Sequence, residues 1–425
     1  MNPAAGNYFS TYLRLFRKRS FTALWLGQLV SFIGDYFNWL AIPITINRLT
    51  GSAGMVGLSF IINAVPALLL APIAGVLVDR IDRRRVMVIS DLLRAVLVLA
   101  LLTIQSAEQV WVFYLVGFLV SCASQFFFPA RNALLPQIVE DEKDLLQANT
   151  LMQLIFIVGL LAGPALAGFA IGLWGERAAF LVNSFGYLVS AASILLIGKI
   201  RLSPRAEQNP ASLTQSWLDL RQGIAFILNS RILVGVLTCT FLAMLGAGGL
   251  NAVWIPYLQK AFHVGAEGIG MVDSAQGAGM VVSGLMIGPL VARFKYKNLT
   301  AGSILLAGFF IAGIGLAPTF PILLFSSFGI GLGLLPIQAG MNTIQQLSSP
   351  DAMRGRVGAA FNMVTTFSSL TSLGLAATLG GIIGLSQVLI ACGTVVLLSG
   401  VLGFWLIQEP RAAPLPDSAA PVEPA

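Results

Sequence analysis

Long apolar runs separated by short polar breaks follow one another along almost the whole chain, and they restrict its possible folds more than any other feature. An α-helix needs about 20 apolar residues to cross a ~30 Å hydrocarbon layer, and lipid offers the backbone no hydrogen-bond partners outside the helix. The sequence therefore predicts an all-α polytopic membrane protein with twelve transmembrane helices. We expect these helices near residues 21–47, 53–80, 86–105, 110–135, 147–173, 177–199, 230–260, 268–293, 298–317, 320–346, 354–384 and 386–408.

The composition supports a lipid environment. Of the 425 residues, 56% are hydrophobic and only 10% are charged, whereas roughly a quarter of the residues in a soluble domain are charged. The missing water-facing surface must therefore face lipid. The three cysteines, Cys122, Cys239 and Cys392, lie far apart inside apolar runs, so we expect no disulfide framework, no metal site and no cofactor.

The distribution of basic residues predicts the orientation. The basic cluster from Arg14 to Arg19 precedes an apolar run that is too long for a signal-peptide core, so residues 1–20 are expected to be a cytoplasmic N-terminal segment. If that segment is cytoplasmic, only Arg48, Arg177 and Lys260 fall on the outer side. The remaining Lys and Arg residues then follow the positive-inside rule. This explains the net charge of +7 without nucleic acid and predicts a multi-pass protein of a bacterial inner membrane with both termini cytoplasmic.

An internal repeat divides the chain into two halves. Moving the sequence by 213 residues superposes Asn38 on Asn251 and Arg80 on Arg293. It also superposes Pro43 on Pro256, Gly57 on Gly270 and Gly75 on Gly288. Parallel six-helix repeats are a known transporter architecture. We therefore predict pseudo-symmetric halves at 21–199 and 230–408. They are joined by a cytoplasmic linker at 200–229, which contains a surface helix, and are followed by a disordered cytoplasmic tail at 409–425.

A charged loop follows the second predicted helix. It resembles the signature loop of the major facilitator superfamily at six matching positions, although Asp82 stands where that family usually has Gly. The matching residues are Gly75, Leu77, Asp79, Arg80, Arg83 and Arg84. The resemblance implies the fold of that superfamily and a cytoplasmic gate, to which Asp91 and Arg94 would contribute further charges. Without the resemblance, the same loop also fits a simple positive-inside anchor.

A second motif lies in the fifth predicted helix. Gly159, Gly163, Pro164 and Gly168 resemble the antiporter motif of the same superfamily, with Ala167 in place of one Gly. Small residues spaced by four let helices approach closely, and a proline bends a helix. Further segments look like the branch that contains enterobactin exporters and macrolide efflux pumps: Leu24–Gln28, Gly34–Asp35, Phe128–Pro136 and Arg354–Val357.

Asp35 is our candidate for the proton-coupling group. It lies about 22 Å along the first predicted helix at 1.5 Å per residue, which is near the middle of the bilayer. Gln28, Ser31, Asp35 and Asn38 recur at helical spacing and share one face. Ionisable groups at that depth are costly and are functional by default. This stripe either faces a water-filled cavity or only joins helices by hydrogen bonds.

Other polar residues of the predicted helices are further candidates for a substrate cavity. Asp273 lies about one turn from the outer end of its helix, so a hydrated interfacial position is equally compatible with its sequence context. The remaining candidates are uncharged: Gln125, Gln153, Asn251, Gln276, Asn342 and Asn362.

These features favour a proton-coupled exporter of lipophilic or amphipathic small molecules, such as drugs or siderophores, that works by alternating access as a monomer. Import, or transport of lipids or lysolipids, remains the alternative within the same fold. A membrane-embedded enzyme or a receptor is the alternative from another class. The sequence contains no nucleotide-binding loop, zinc-protease motif or serine nucleophile elbow, which argues against an enzyme and an ATP-driven pump.

The orientation can be tested by labelling single cysteines from outside the cell. A cysteine at Glu108 or Glu176 should react with a membrane-impermeant maleimide, because the charge distribution places both positions outside. A cysteine at Arg83 or Lys295 should be spared. The reverse pattern would contradict the predicted topology.

Asp79 is expected to act as a conformational latch, because the resemblance places it opposite the start of the eleventh predicted helix near Pro350 and Asp351. A helix N-terminus favours a negative charge. Asp79→Asn should slow substrate turnover and leave equilibrium substrate binding nearly unchanged, as measured by flux and binding on the same preparation. Weakened binding with a normal turnover rate would show that Asp79 is a substrate ligand instead.

Overall fold

A computed structural model describes residues 12–78, 81–139, 141–198 and 213–409. No β-strand occurs within these ranges, and the backbone is almost entirely helical. The helices are α1 (Arg19–Thr50), α2 (Ala53–Val78), α3 (Arg83–Leu99), α4 (Trp111–Val139), α5 (Glu142–Trp174), α6 (Glu176–Leu195), α7 (Leu213–Leu228), α8 (Arg231–Ala247), α9 (Leu250–Ala261), α10 (Ala266–Arg293), α11 (Tyr296–Gly315), α12 (Phe320–Leu347), α13 (Asp351–Ile382) and α14 (Leu385–Leu406).

These helices confirm the predicted all-α polytopic class. In the part of the chain that the structure describes, 11 segments are long and apolar enough to cross a membrane, and a shorter apolar helix at Ala53–Ala67 belongs to α2. Large apolar side chains stay exposed on the outside of the bundle, among them Leu285 and Trp405 at 79% and 80%. Such exposure is expected of side chains that face lipid rather than water.

The segments between and beyond the halves are only partly described. Helix α7 falls within the predicted linker and packs against α13, where Arg356 forms a 2.9 Å ion pair with Asp219. The rest of the linker up to residue 212, residues 1–11 of the predicted N-terminal segment and residues 410–425 of the predicted tail lie outside the described residues.

The sequence predicts one continuous helix at 230–260, but the structure divides it. Helix α8 ends at Ala247 and α9 begins at Leu250, while the two segments together make one span, Arg231–Ala261. The break falls at Gly248 and Gly249, because glycine is a poor helix former and both residues lie against α13. A methyl group at Gly249 would lie only 2.7 Å from the Cβ atom of Ala376.

The two halves touch through small residues at two equivalent places. Gly57 of α2 lies against Ala377 of α13, and Gly270 of α10 lies against the backbone of Pro164 and Gly168 of α5. Gly57 and Gly270 are superposed by the 213-residue repeat, so the internal repeat is also a repeat of the contact between halves. The bundle end that carries Arg83, Arg293 and Arg354 is called the basic face. Both contacts lie near the starts of α2 and α10, at the opposite end of the bundle.

A hydrogen bond joins the halves on the same opposite face. The amide nitrogen of Asn47, near the end of α1, donates to the side-chain oxygen of Gln259, near the end of α9, over 2.6 Å. Nearby, Arg48 forms a 3.0 Å ion pair with Glu176 inside the first half. Together with the glycine contacts, these polar groups hold the helix ends closed at this face.

This closed face predicts a cross-link between the halves. With Asn47 and Gln259 both replaced by cysteine in a chain lacking the native cysteines, a short bifunctional thiol reagent should join the halves, because the native side chains touch. The halves should then stay together after cleavage at a protease site inserted into the linker, and transport should stop. Each single-cysteine variant is the control. If the double variant separates like the controls, the halves do not meet here.

Candidate functional site

A cavity of about 520 Å³ lies between the two halves, directly beneath the closed face. Helices α1, α2 and α5 form its wall in the first half, and helices α8 to α12 form its wall in the second half. A cleft of this size suits a drug-sized molecule, and substrate sites of repeat-built transporters lie at the interface between the repeats. We therefore take this central cavity as the candidate substrate site.

The lining of the central cavity is apolar and acidic. Asp35 contributes a carboxyl group from the first half, Asp273 contributes another from the second half, and Asn251 and Gln276 add amides. Among the described lining residues there is no Lys, Arg or His. Five aromatic side chains also line the cavity: Phe32, Tyr36, Trp39, Phe60 and Trp254.

Asp35 is held by neutral donors from α6. The hydroxyl group of Tyr187 donates to its Oδ1 atom over 2.6 Å, and the amide of Asn183 donates to the same atom over 3.2 Å. Asn38 in turn donates to the Asn183 oxygen over 2.6 Å. The sequence predicts Asp35 and Asn38 on one face, and it also contains the signal for their partners. Asn183 and Tyr187 are polar groups spaced by one helical turn in an apolar run.

A buried ion pair lies behind Tyr187. Arg94 and Asp91 of α3 pair with each other, and only 3% and 0% of their surfaces are exposed. The Arg94 guanidinium lies 4.4 Å from the ring centroid of Tyr187 and 4.4 Å from that of Phe127. Sequence reasoning allowed this pair, but it expected charges at a cytoplasmic gate. The structure places them inside the first half, one side chain away from Asp35.

A second, much smaller cavity of about 20 Å³ lies between Asp35 and Arg94. Gln28, Ser31, Asp35 and Arg94 all line it. Gln28 also donates to the Ser190 hydroxyl over 3.0 Å. Of the predicted polar stripe of α1, Asp35 lines the central cavity, whereas Gln28, Ser31 and Asn38 face the interior of the first half.

Asp273 has simpler surroundings. The indole N–H of Trp254 donates to its Oδ1 atom over 2.9 Å, which links α10 to the helix that follows the glycine break. Because α9 starts after that break, Leu250, Asn251 and Trp254 all lie on the cavity wall. Trp254 was not predicted as a site residue. The sequence indicates such a role only through its position three residues after Asn251, on the same helix face.

The structure gathers only some of the predicted cavity residues. Gln125 is half-buried, while Gln153, Asn342 and Asn362 are exposed. Gln125 lies at the middle of α4, and the other three lie in the basic-face halves of α5, α12 and α13. None of the four is among the residues that line the central cavity. Helical periodicity predicts which residues share a face, but it does not give their depth relative to the cavity.

The gate loop is described on one side only. Gly75 lies in the last turn of α2, whereas Asp79 and Arg80 lie outside the described residues. Asp82 has φ −57° and caps α3 by accepting from the backbone N–H groups of Arg84 and Arg85. This explains the departure from the Gly of the family motif, because an N-cap needs a side-chain acceptor rather than a left-handed turn.

Arg83 and Arg84 anchor this loop to two helices of the same half. Arg83 donates to the Ala133 carbonyl over 3.2 Å, and Arg84 donates to the Ile194 and Leu195 carbonyls over 3.1 and 2.6 Å. The last carbonyls of a helix lack partners within the helix and attract cations. Arg84 therefore satisfies the end of α6.

The predicted antiporter motif serves two contacts. Gly159 and Gly163 lie against the rings of Phe32 and Tyr36 of α1, while Gly168 lies against Ala266 and Gly270 of the second half. Pro164 itself lines the central cavity. The motif therefore holds two aromatic walls of the cavity in place and forms part of the contact between halves.

The model of the Major Facilitator Superfamily matches residues 24–238 and 236–425. The chain belongs to this superfamily. It is accordingly a multi-pass membrane transporter rather than an enzyme, and it moves a small-molecule substrate across a lipid bilayer.

Individual relatives agree over nearly the full length. Macrolide efflux protein A of Streptococcus pyogenes is 25% identical over 391 residues, covering 91% of this chain and 95% of that protein. Multidrug efflux pump Tap of Mycobacterium bovis is 24% identical over 413 residues, covering 93% and 96%. The crystal structure of a bacterial homologue of the iron transporter ferroportin in the inward-facing state superposes with a TM-score of 0.73. It shares 18% sequence identity and covers 92% of this chain and 99% of that one.

Proposed function

We propose that this transporter is a proton-coupled exporter of lipophilic or amphipathic small molecules in a bacterial cell membrane, with its basic face and both termini in the cytoplasm. The observation that carries the proposal is the position of Asp35 in the wall of the central cavity, where the halves meet. The names of two relatives, a macrolide efflux protein and a multidrug efflux pump, support export as the direction.

The surroundings of Asp35 suit a group that gains and loses a proton. Its partners from α6 are neutral donors, Tyr187 and Asn183. Two cations line the small cavity beside Asp35: Arg94, which is paired with Asp91, and Arg131. Removal from water disfavours a charged carboxylate that lacks a direct ion pair. The other titratable groups that line the central cavity are Tyr36, which neighbours Asp35 on α1, and Asp273 of the second half.

Proton binding at Asp35 would also be felt by the substrate and by the packing of the first half. A neutral Asp35 leaves the central cavity with one carboxylate fewer, and it changes what Tyr187 and Asn183 can donate to. A proton can bias alternating access only if the two protonation states differ in affinity for the substrate or for a conformation. In an exporter, protonation from the outside should release the substrate, and loss of the proton to the cytoplasm should restore affinity.

The proposal predicts a specific defect for Asp35→Asn. The amide oxygen still accepts from Tyr187, so the fold should survive, but the residue can no longer exchange a proton. In inverted membrane vesicles from a pump-deficient host, uptake of a transported macrolide or dye driven by a pH gradient should fall to background. Downhill exchange of the same compound should continue.

Glu108→Gln is the matched control, because it removes one carboxyl group from an exposed position away from the cavity. It should transport like the unaltered chain, and nigericin should abolish uptake in both. Gradient-driven uptake that persists in Asp35→Asn would place the coupling group elsewhere. A chain that transports nothing from a broad compound panel in either direction would contradict export itself.

A further inference from the structure

Helix α7 carries an exposed apolar stripe at the basic face. The α7 stripe consists of Trp217, Leu218, Arg221, Ala225 and Leu228, which recur at helical spacing on one side of the helix over about three turns. Trp217, Leu218 and Leu228 are 64%, 43% and 67% exposed. A contiguous exposed apolar face of this kind marks a contact with a membrane or with another protein.

The opposite side of α7 is attached to the second half. The helix packs against α13 and α8, and Ile227 is only 1% exposed. A Cβ atom at Gly223 would lie 2.3 Å from the carbonyl oxygen of Arg356, so the two helices meet backbone to backbone at this point. The side chain of Arg356 also pairs with Asp219 over 2.9 Å. Helix α7 is therefore fixed to the start of α13, and the α7 stripe faces away from these contacts.

The position of α7 in the bundle favours the bilayer as the neighbour of this stripe. Helix α6 ends at Leu195 and helix α8 begins at Arg231, both at the basic face, and α7 lies between them in the chain. Tryptophan is enriched at the membrane–water interface, where its ring is among apolar groups and its N–H group reaches water. An amphipathic helix lies in the plane of this interface with its apolar side towards the acyl chains.

The charge of the stripe selects the kind of lipid. Arg221 is exposed within it, and Arg231 is exposed shortly after the helix ends. The only acid between residues 217 and 229 is Asp219, which pairs with Arg356. The stripe is therefore positively charged, and each basic residue near an anionic surface strengthens binding about fivefold. An arginine on such a helix can reach the headgroups while its stem stays among apolar groups.

We propose that the α7 stripe is a docking surface for anionic phospholipids in the leaflet at the basic face. Its tryptophan and leucine side chains insert among the acyl chains, and Arg221 binds a phosphate group. Because α7 is fixed to α13 through Gly223 and Asp219, the headgroup layer that holds α7 also holds the start of α13. This inference rests on the position and the contacts of α7, and it is independent of the substrate and of the direction of transport.

Quenching of tryptophan fluorescence by brominated lipids tests this contact. The purified full-length chain is placed in nanodiscs made from equal parts of phosphatidylcholine and phosphatidylglycerol, with bromine on the acyl chains of one lipid or of the other. The chain has seven tryptophans, so the contribution of Trp217 is taken as the difference between the unaltered chain and Trp217→Phe. Both brominated lipids should quench this contribution, and brominated phosphatidylglycerol should quench it more strongly.

Two variants and the salt concentration test the role of charge. Arg221→Gln should reduce the excess quenching by phosphatidylglycerol, because one basic residue near an anionic surface changes lipid preference about fivefold. Lys260→Gln is the matched control, since it removes one exposed cation from the opposite face, and it should leave the excess unchanged. Raising the salt concentration from about 0.1 M to about 1 M shortens the Debye length from ~10 Å to ~3 Å and should also remove the excess.

Three results would overturn the inference. If neither brominated lipid quenches Trp217, the stripe faces water or is covered by protein, and the docking surface does not exist. Equal quenching by the two lipids in the unaltered chain would mean that the stripe contacts the bilayer without selecting anionic headgroups. A full excess that persists in Arg221→Gln would show that Arg221 does not bind the phosphate group.

Discussion

The close contact of the two halves through glycine is the constraint on which the cavity depends. Gly57 meets Ala377, and Gly270 meets Pro164 and Gly168, at equivalent positions of the repeat. A larger side chain at either glycine would separate the helices, because atoms of the other half already occupy the space of a Cβ. These contacts join the halves beneath one face only, and the central cavity opens directly below them.

Within this symmetric frame the polar groups are arranged asymmetrically. The first half contains a chain of contacts in space. Asp35 accepts from Tyr187, the ring of Tyr187 packs on Arg94, and Arg94 pairs with Asp91. In the second half, Gly248 and Gly249 interrupt the corresponding span between α8 and α9. The acid of this half, Asp273, accepts a hydrogen bond from the indole of Trp254. The acid of the first half is therefore linked through Tyr187 to an internal ion pair, whereas the acid of the second half is linked to Trp254.

Much of the fold could be predicted from the sequence, because the thickness of the lipid bilayer fixes the length of each apolar helix. The length of each apolar run predicted the helices, and the recurrence of Asn38 as Asn251 predicted the halves. The break at Gly248 was missed, because glycine is common in membrane helices and only the packing against α13 shows that this pair interrupts one. Four of the uncharged candidates are not among the residues that line the central cavity, and the sequence could not show this for a related reason. Periodicity gives the face of a helix and not its neighbours.

The sequence by itself determined the class, the repeat and the presence of one acid, Asp35, at membrane depth. Each of these follows from hydrophobicity and spacing along a single helix. Only the tertiary structure decided that Asp35 meets Tyr187 and that Asp273 meets Trp254. Those contacts join different helices, and two of the residues are separated by 152 positions in sequence. Local patterns carry no information about such pairs, because helix packing alone brings them within hydrogen-bonding distance.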